Sequence, residues 1–272
     1  MASRVRGLDH AIVAVRDLDR AQALWRRLGF TATPRGEHPE WGTANSCLMF
    51  ERGYVELLTA TGIGAAADRV RRFTAERQGL MSLALASDDC AHDAQRLGAP
   101  PPTSLSRGID GAQARFLLAP LPMATTPGVD SFLCQHLTPE LLRRPDWTRH
   151  ANGAQALLSV TALAAEPLDL MAAWDRVFGP AAATATDETV TIHTGAGLIF
   201  LTRPEDLGQL HPDSDEEEPP PPPALVAMTV RVADTALAAR LLKENGVAFG
   251  RDADGGLRIP AEETGGVFLE LV

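Results

Sequence analysis

The chain has few cysteines, and their arrangement matches no known framework. Its 272 residues include three, Cys47, Cys90 and Cys134, an odd number at unrelated spacings. This pattern excludes a disulfide scaffold and a cysteine-only zinc site as the basis of the fold. Reduced thiols are typical of a cytoplasmic protein, and we expect that location.

Long apolar runs and an excess of positive charge are also lacking. No stretch of about 18 apolar residues occurs, and no apolar core of a signal peptide follows Met1. The formal net charge is −10, and five of the acids lie within residues 213–218. We therefore expect neither a membrane nor a nucleic acid as a partner, because nucleic-acid binding requires a basic surface.

The motifs of several large enzyme classes are missing as well. The chain has no G-x-S-x-G elbow and no P-loop, and residues 62–64 (Gly-Ile-Gly) lack the third glycine and the acidic residue of a dinucleotide fingerprint. We therefore do not expect a nucleotide-dependent enzyme.

Two similar segments each place a carboxylate within an apolar, strand-like run. Glu56 lies in residues 54–58, and Glu270 lies in residues 268–272. A charge in such a run is costly unless a partner lies nearby. His10, near the start of an upstream predicted strand, is the candidate partner of Glu56, whereas Ala227 occupies the matching position before Glu270. The first copy therefore predicts chemistry, and the second predicts a structural or edge role.

A strand–helix–strands pattern occurs four times along the chain. The first predicted strands of the modules are residues 8–15, 79–86, 156–163 and 225–234, and each is followed by a predicted helix. The repeat predicts an α+β protein of four βαβββ modules paired into two domains. We expect the domains at 1–138 and 154–272, joined by a linker at 139–153. The sequence leaves open whether module one pairs with module two or with module four.

An acidic and proline-rich segment interrupts the second predicted domain. Residues 213–223 contain five acids followed by five prolines. Like charges repel each other and prolines favour extended chain, so we expect an exposed loop or spacer.

Several motifs together resemble the vicinal oxygen chelate superfamily, and in particular its glyoxalase-like members. They are Leu-Asp-His at 8–10, Arg-Asp-Leu at 16–18, Leu-Gly-Phe at 28–30, His-Pro-Glu-Trp-Gly-Thr-Ala-Asn at 38–45 and Tyr-Val-Glu-Leu-Leu at 54–58. The resemblance implies two glyoxalase/bleomycin-resistance-like domains with cupped mixed sheets. It also implies a divalent metal ion in the cup, of zinc, nickel, manganese or iron, that chelates two neighbouring substrate oxygens.

The resemblance further implies ligands from the first and last strands of each module. In module one, His10 and Glu56 match these positions, and we predict that both are catalytic as well as metal ligands. Module two offers Ser82 in place of the histidine, and Cys134 or His136 in place of the glutamate. We select His136 as the third metal ligand. The alternatives are a hydrogen-bonded His10–Glu56 pair without metal, and a strand-end role for His136.

Further polar residues predict a substrate-binding surface. His38, Thr43 and Asn45 belong to a loop and the strand that follows it, so one face presents short hydrogen-bonding groups. His150 and Asn152 form a second candidate patch in the linker. The alternatives are that the first group organises the loop and the second holds the linker in place.

The second predicted domain lacks the ligand pattern. Ser159 and Ala227 replace both histidines, and we expect this half to be non-catalytic. Three other histidines, at 92, 193 and 211, have no partner pattern and are expected at the surface or half-buried.

Together these features predict a metal-dependent lyase or isomerase that acts on a small oxygenated metabolite. The alternatives are a small-molecule-binding protein on the same scaffold, and an interaction protein motivated only by residues 213–223. A homodimer is left open.

Overall fold

The computed structural model describes residues 3–109, 112–214 and 218–272. Residues 215–217 of the predicted acidic loop lie outside this range. The strands of the protein form two mixed sheets of eight strands each.

The first sheet is built from the first half of the chain. Its strands are β1 (Val5–Ala14), β2 (Gly36–His38), β3 (Thr43–Met49), β4 (Tyr54–Ala60), β5 (Gly79–Ser87), β6 (Thr103–Ile109), β7 (Ala112–Pro120) and β8 (Ser131–His136). They follow the order β2-β3-β4-β1-β5-β8-β7-β6. The first strands of modules one and two, β1 and β5, pair antiparallel at the centre of this sheet.

The second sheet repeats this arrangement. Its strands are β9 (Ala154–Leu163), β10 (Ala183–Thr186), β11 (Thr189–His193), β12 (Leu198–Thr202), β13 (Ala224–Val232), β14 (Gly250–Arg251), β15 (Leu257–Ile259) and β16 (Phe268–Leu271). The order is β10-β11-β12-β9-β13-β16-β15-β14. Module one thus pairs with module two and module three with module four, which confirms the predicted α+β fold of paired βαβββ modules and excludes the pairing of module one with module four.

Eight helices accompany the sheets in the described part of the chain. They are α1 (Leu18–Arg27), α2 (Ala65–Glu76), α3 (Cys90–Arg96), α4 (Pro145–Thr148), α5 (Met171–Phe178), α6 (Leu207–Leu210), α7 (Thr235–Glu244) and α8 (Ala261–Thr264). The aspartates before α1, α3 and α7 cap the helices by accepting backbone hydrogen bonds. None of the described helices is long and apolar enough to cross a lipid bilayer.

Helix α2 was not predicted from the sequence. Its buried face consists of Ala67, Val70 and Thr74, which are small or polar and give only a weak apolar period. It connects the two modules of the first sheet and brings Val70 to the concave face, beside Ile12 of β1.

The two sheets share one continuous core. Large side chains from both halves, including Trp25 and Trp174, belong to the same buried cluster. The halves also approach closely at their backbones. A Cβ atom added to Gly79, whose φ is +122°, would lie 2.1 Å from the carbonyl oxygen of Gly266, so only glycine fits at this contact.

The register of the central strands relates the modules of the first sheet. Ala11 pairs with Leu83, His10 with Ala84 and Ile12 with Ser82, so a two-fold axis near Ala11 makes Ser82 the equivalent of His10, as predicted.

The same symmetry corrects the prediction that Cys134 or His136 is the module-two equivalent of Glu56. Glu56 lies beside Ile12 in β4, and Phe132 lies beside Ala84 in β8. Because Ala84 is the equivalent of Ile12, the equivalent of Glu56 is Phe132. Cys134 and His136 lie two and four residues further along β8.

Candidate functional site

A cavity of about 350 Å³ lies on the concave face of the first sheet. Five residues predicted to form the site line it, namely His10, His38, Thr43, Asn45 and Glu56. A larger cavity of about 720 Å³ contains none of the predicted site residues. The smaller cavity is therefore the candidate site.

His10 and Glu56 come together because their strands are neighbours. The His10 Nε2 atom lies 3.5 Å from Glu56 Oε2, longer than the usual 2.7–3.2 Å of a hydrogen bond. The side-chain amide of Asn45 donates to the other carboxylate oxygen of Glu56 at 2.6 Å. Tyr54 stacks on the imidazole with ring centres 4.1 Å apart. Both members of the pair are thus held in fixed orientations.

Asp9 holds His10 from the side opposite Glu56. The register between β1 and β5 shifts between Leu8 and His10, and Asp9 lies at this irregularity. Its Oδ1 atom lies 2.6 Å from Nδ1 of His10 and 3.0 Å from Nε2 of His136. A buried carboxylate therefore joins two imidazoles, and it orients His10 as the aspartate of a catalytic triad orients its histidine.

These contacts shift the pKa values of the buried groups. Burial by itself lowers the pKa of His10, but the hydrogen bond to Asp9 and the nearby carboxylate of Glu56 outweigh burial and raise it from 6.5 to about 9. Burial opposes ionisation of Glu56, yet its contacts with His10 and Asn45 lower its pKa from 4.5 to about 2. The pKa of Asp9 also falls well below its usual range despite burial, because both imidazoles bind the carboxylate. At neutral pH, His10 is a cation between two carboxylates.

The remaining cavity residues include neutral hydrogen-bonding groups and two arginines, Arg69 and Arg107. The Nδ1 atom of His38 lies 3.0 Å from the hydroxyl oxygen of Thr43, and burial lowers the pKa of His38. Arg107 of β6 reaches the same cavity and lies 3.2 Å from the sulfur atom of Cys47.

His136 does not share a ligand position with His10 and Glu56, which corrects the predicted metal triad. His136 contacts Asp9, on the Nδ1 side of the His10 ring, whereas Glu56 lies on the Nε2 side. His136 lines a separate cavity of about 120 Å³. One ion bound between His10 Nε2 and Glu56 is therefore not reached by His136.

His150 and Asn152 lie outside the cavity, and their predicted substrate contacts are corrected. His150 accepts a hydrogen bond from the backbone amide of Thr31 at 2.9 Å and donates one to the carbonyl of Met49 at 2.8 Å. Asn152 donates to the carbonyl of Leu28 at 2.9 Å. Both residues hold the linker against module one, which was the alternative interpretation.

The resemblance implies a divalent metal ion in the cup, so the donors present there decide whether one fits. His10 and Glu56 supply one nitrogen and one oxygen donor. Their symmetry equivalents are Ser82, a weak ligand, and Phe132, which has no donor atom. Catalytic zinc sites take three protein ligands. His38 and Cys134 also line the cavity, but among the described residues neither of them groups with His10 and Glu56 as metal ligands. The cavity thus does not form the predicted three-ligand site.

A second group of metal-binding residue types lies behind His10. Donor atoms of Asp9, Cys134 and His136 lie within 4.8 Å of one another. However, both imidazoles already bind the Asp9 carboxylate, and burial raises the pKa of the Cys134 thiol well above its usual range. Asp9 and His136 are therefore satisfied by hydrogen bonds, and Cys134 is a neutral thiol beside them.

The second half of the chain contains a buried pair that the sequence did not predict. His211 is expected at the surface or half-buried, but it is 2% exposed. Its Nδ1 atom lies 3.0 Å from Glu270 and its Nε2 atom lies 2.7 Å from the Thr161 hydroxyl. Glu270 also accepts a hydrogen bond from Thr229 at 3.0 Å. This arrangement gives Glu270 a structural partner from a segment outside its own module.

Three residues of the site were missed by sequence reasoning. Asp9 belongs to the Leu-Asp-His motif at 8–10. The pattern of a single strand does not show that an irregularity turns the Asp9 side chain toward His10. Tyr54 had been assigned only to an apolar run. Arg107 lies in a polar hairpin without an apolar alternation, and no signal in the sequence distinguishes it.

The fold and the site define a class of protein in which paired βαβββ modules form a cup around a small-molecule cavity. The chain belongs to the glyoxalase-like domain family, whose model matches residues 8–178. This match confirms the resemblance to the vicinal oxygen chelate superfamily. A search of curated proteins found no match.

Solved structures show the same fold at low sequence identity. A hypothetical protein from Staphylococcus aureus is 11% identical with a TM-score of 0.65, covering 97% of this chain and 98% of that one. A mutant 4-hydroxymandelate synthase from Streptomyces coelicolor is 17% identical with a TM-score of 0.62, covering 98% and 92%. A fusion of a xylose isomerase-like TIM barrel and a 4-hydroxyphenylpyruvate dioxygenase is 16% identical with a TM-score of 0.58, covering 100% of this chain and 49% of that one.

Proposed function

We propose that the protein is an enzyme of the lyase or isomerase type that moves a proton on a small oxygenated metabolite. The observation that carries this proposal is the buried His10–Glu56 pair, which is oriented by Asp9 and Asn45 and opens into the cavity of about 350 Å³. Catalytic acids and bases cluster in such cavities with shifted pKa values.

The two residues have complementary roles in this proposal. His10, protonated at neutral pH, donates a hydrogen bond from Nε2 to a substrate carbonyl oxygen. Glu56 removes a proton from the adjacent carbon, and His10 protonates the resulting enolate oxygen. A substrate oxygen that replaces the 3.5 Å contact between the two side chains removes an interaction that lowers the pKa of Glu56. Burial then raises this pKa and makes the carboxylate a stronger base.

Hydrogen exchange in D2O tests the proposal. Small aldehydes and ketones with a hydrogen on the carbon beside the carbonyl are incubated with the protein, and exchange is followed by proton NMR. The wild type is expected to exchange at least one compound, and Glu56→Gln is expected to slow this exchange at least about 100-fold, the range for loss of a general base. The matched control is Glu37→Gln, because Glu37 is exposed on β2 and pairs with Arg35.

Two results would contradict this acid–base proposal. One is the absence of exchange for every compound, or equal rates in wild type and Glu56→Gln. The other is a stoichiometric metal ion in protein purified without an affinity tag that is lost in both His10→Ala and Glu56→Gln. That second result would restore the predicted metal-dependent mechanism.

A binding protein without turnover is the second candidate. It is favoured by the replacement of two ligand positions by Ser82 and Phe132, and Phe132 gives the cavity an apolar wall beside His10. Tight binding of a compound that undergoes neither exchange nor conversion would support this candidate over the enzyme.

A further inference from the structure

Arg107 is a buried cation that makes no direct contact with a carboxylate of the described residues. It is 6% exposed. Its side-chain contacts within the described residues are Cys47 Sγ at 3.2 Å and Asn45 Oδ1 at 3.4 Å. Burial raises the pKa of the Cys47 thiol to about 11, so this thiol is neutral and does not balance the guanidinium charge. The carboxylate of Glu56 acts on Arg107 only across the Asn45 amide. A buried guanidinium without a direct carboxylate contact is costly.

The other arginine of the cavity wall has a partner. Arg69 is about 40% exposed and forms an ion pair with Asp130 at 2.5 Å. Its charge is balanced at the surface, whereas the charge of Arg107 faces the cavity. Among the described arginines that line the cavity, Arg107 is thus the one available to an anionic ligand.

The surrounding backbone leaves room for the Arg107 side chain. A Cβ atom added to Gly36 would lie 2.7 Å from Cδ of Arg107 and 2.6 Å from Oδ1 of Asn45. Gly36 lies on β2 within the same sheet, and β2 contacts β6. The absence of a side chain at this position therefore permits the guanidinium to lie beside Asn45.

Asn45 connects the cation to the proposed reacting groups. Its amide nitrogen contacts Glu56 and its amide oxygen contacts Arg107. A ligand bound to Arg107 thus has its anionic end one side chain away from the His10–Glu56 pair. Most of the other cavity-lining side chains are apolar, including Leu58, Met81 and Phe132.

We propose that Arg107 binds the carboxylate of the substrate, so that the substrate class is a small monocarboxylate with an apolar body. This inference rests on the proposed function for the reacting end of the molecule. A guanidinium binds a carboxylate through two parallel hydrogen bonds. One guanidinium matches the single charge of a carboxylate, whereas a dianionic phosphate would add a second negative charge close to Glu56.

Matched pairs of ligands test this assignment by binding alone. The probes are phenylacetate and its neutral amide, hexanoate and its amide, and phenylphosphonate, each titrated and followed by ligand-observed NMR. The wild type is expected to bind at least one carboxylate about tenfold or more tightly than the corresponding amide, because charge-assisted hydrogen bonds are about twice as strong as neutral ones.

Variants assign the preference to Arg107. Arg107→Met is expected to abolish the preference for carboxylate while leaving amide binding unchanged, and Arg107→Lys to restore part of it as a point charge. The matched control is Arg115→Met, which removes an exposed cation from the paired strand β7 and is expected to keep the full preference. If Arg107→Met does not fold, Gly36→Ala replaces it in the experiment. The added methyl group displaces the Arg107 guanidinium without removing the charge of Arg107.

The inference is overturned by equal affinity for carboxylate and amide, or by a preference that survives both Arg107→Met and Gly36→Ala. It is also overturned by stronger binding of phenylphosphonate than of either carboxylate, or by absence of binding by every probe. These results are independent of catalysis. Exchange of a neutral carbonyl compound that depends on Glu56 but not on Arg107 would support the proposed function. It would also reject the inference that the substrate carries a carboxylate bound by Arg107.

Discussion

Replacing Asp9 by asparagine is expected to lower the free energy of unfolding by about 3 to 5 kcal/mol at pH 6, the usual effect of breaking a buried charge pair. Asp9 is 9% exposed and lies 2.6 Å from His10 and 3.0 Å from His136. An amide keeps the shape but removes one of the two negative charges that stabilise the His10 imidazolium. Urea unfolding followed by tryptophan fluorescence measures this change.

The matched control for this prediction is Asp88→Asn. Asp88 forms an ion pair with Arg6, and both side chains are more than half exposed. Removal of such a surface charge is expected to change the unfolding free energy by about 0.5 kcal/mol or less. A loss below about 1 kcal/mol for Asp9→Asn, close to the control, would show that Asp9 does not support a charged His10.

The stability of the protein is expected to fall as the pH rises from 6.5 through about 9. The pKa of His10 is raised from 6.5 to about 9 in the folded state. Its protonation therefore stabilises the fold fully below pH 6.5, and this contribution is lost as the pH passes the folded-state value. One pKa unit corresponds to about 1.4 kcal/mol, so the total loss is on the order of 3 kcal/mol.

Glu56 contributes to the dependence of the folding stability on pH in the acidic range. Its pKa is lowered from 4.5 to about 2 in the folded protein, so its contribution is present above pH 4.5 and is lost as the pH falls through about 2. We expect maximal stability between about pH 4.5 and 6.5. Urea unfolding at pH values within this range and on both sides of it measures this maximum.

The variant His10→Gln serves as the control for the alkaline side. It lacks the titrating imidazole, and its stability is expected to change little between pH 6.5 and 8.5. An equally steep alkaline loss in this variant would assign the pH dependence to other groups.

Much of the fold could be predicted because its signals are local. The strand and helix periods, the aspartate caps and the repeat of the modules are all properties of short segments. The neighbouring positions of His10 and Glu56 were predictable for the same reason, since both residues lie on core strands of one module.

The second module shows where this reasoning fails. Spacing along β8 suggested Cys134 or His136 as the equivalent of Glu56, yet the register of the paired strands assigns Phe132. A shift of two residues keeps a side chain on the same face of a strand, so the face of each residue was predictable and its position along the strand was not.

The sequence by itself determined the four modules and the His10–Glu56 pair, because each follows from the order of residues within one module, whereas the pairing of the modules into two sheets was decided by the tertiary structure. Only the tertiary structure decided which groups surround that pair. Asp9 depends on an irregularity between β1 and β5, His136 comes from β8, and Arg107 comes from β6 at the far edge of the sheet. These contacts form when the sheet curves into a cup, and distances across a curved sheet are independent of separation along the chain.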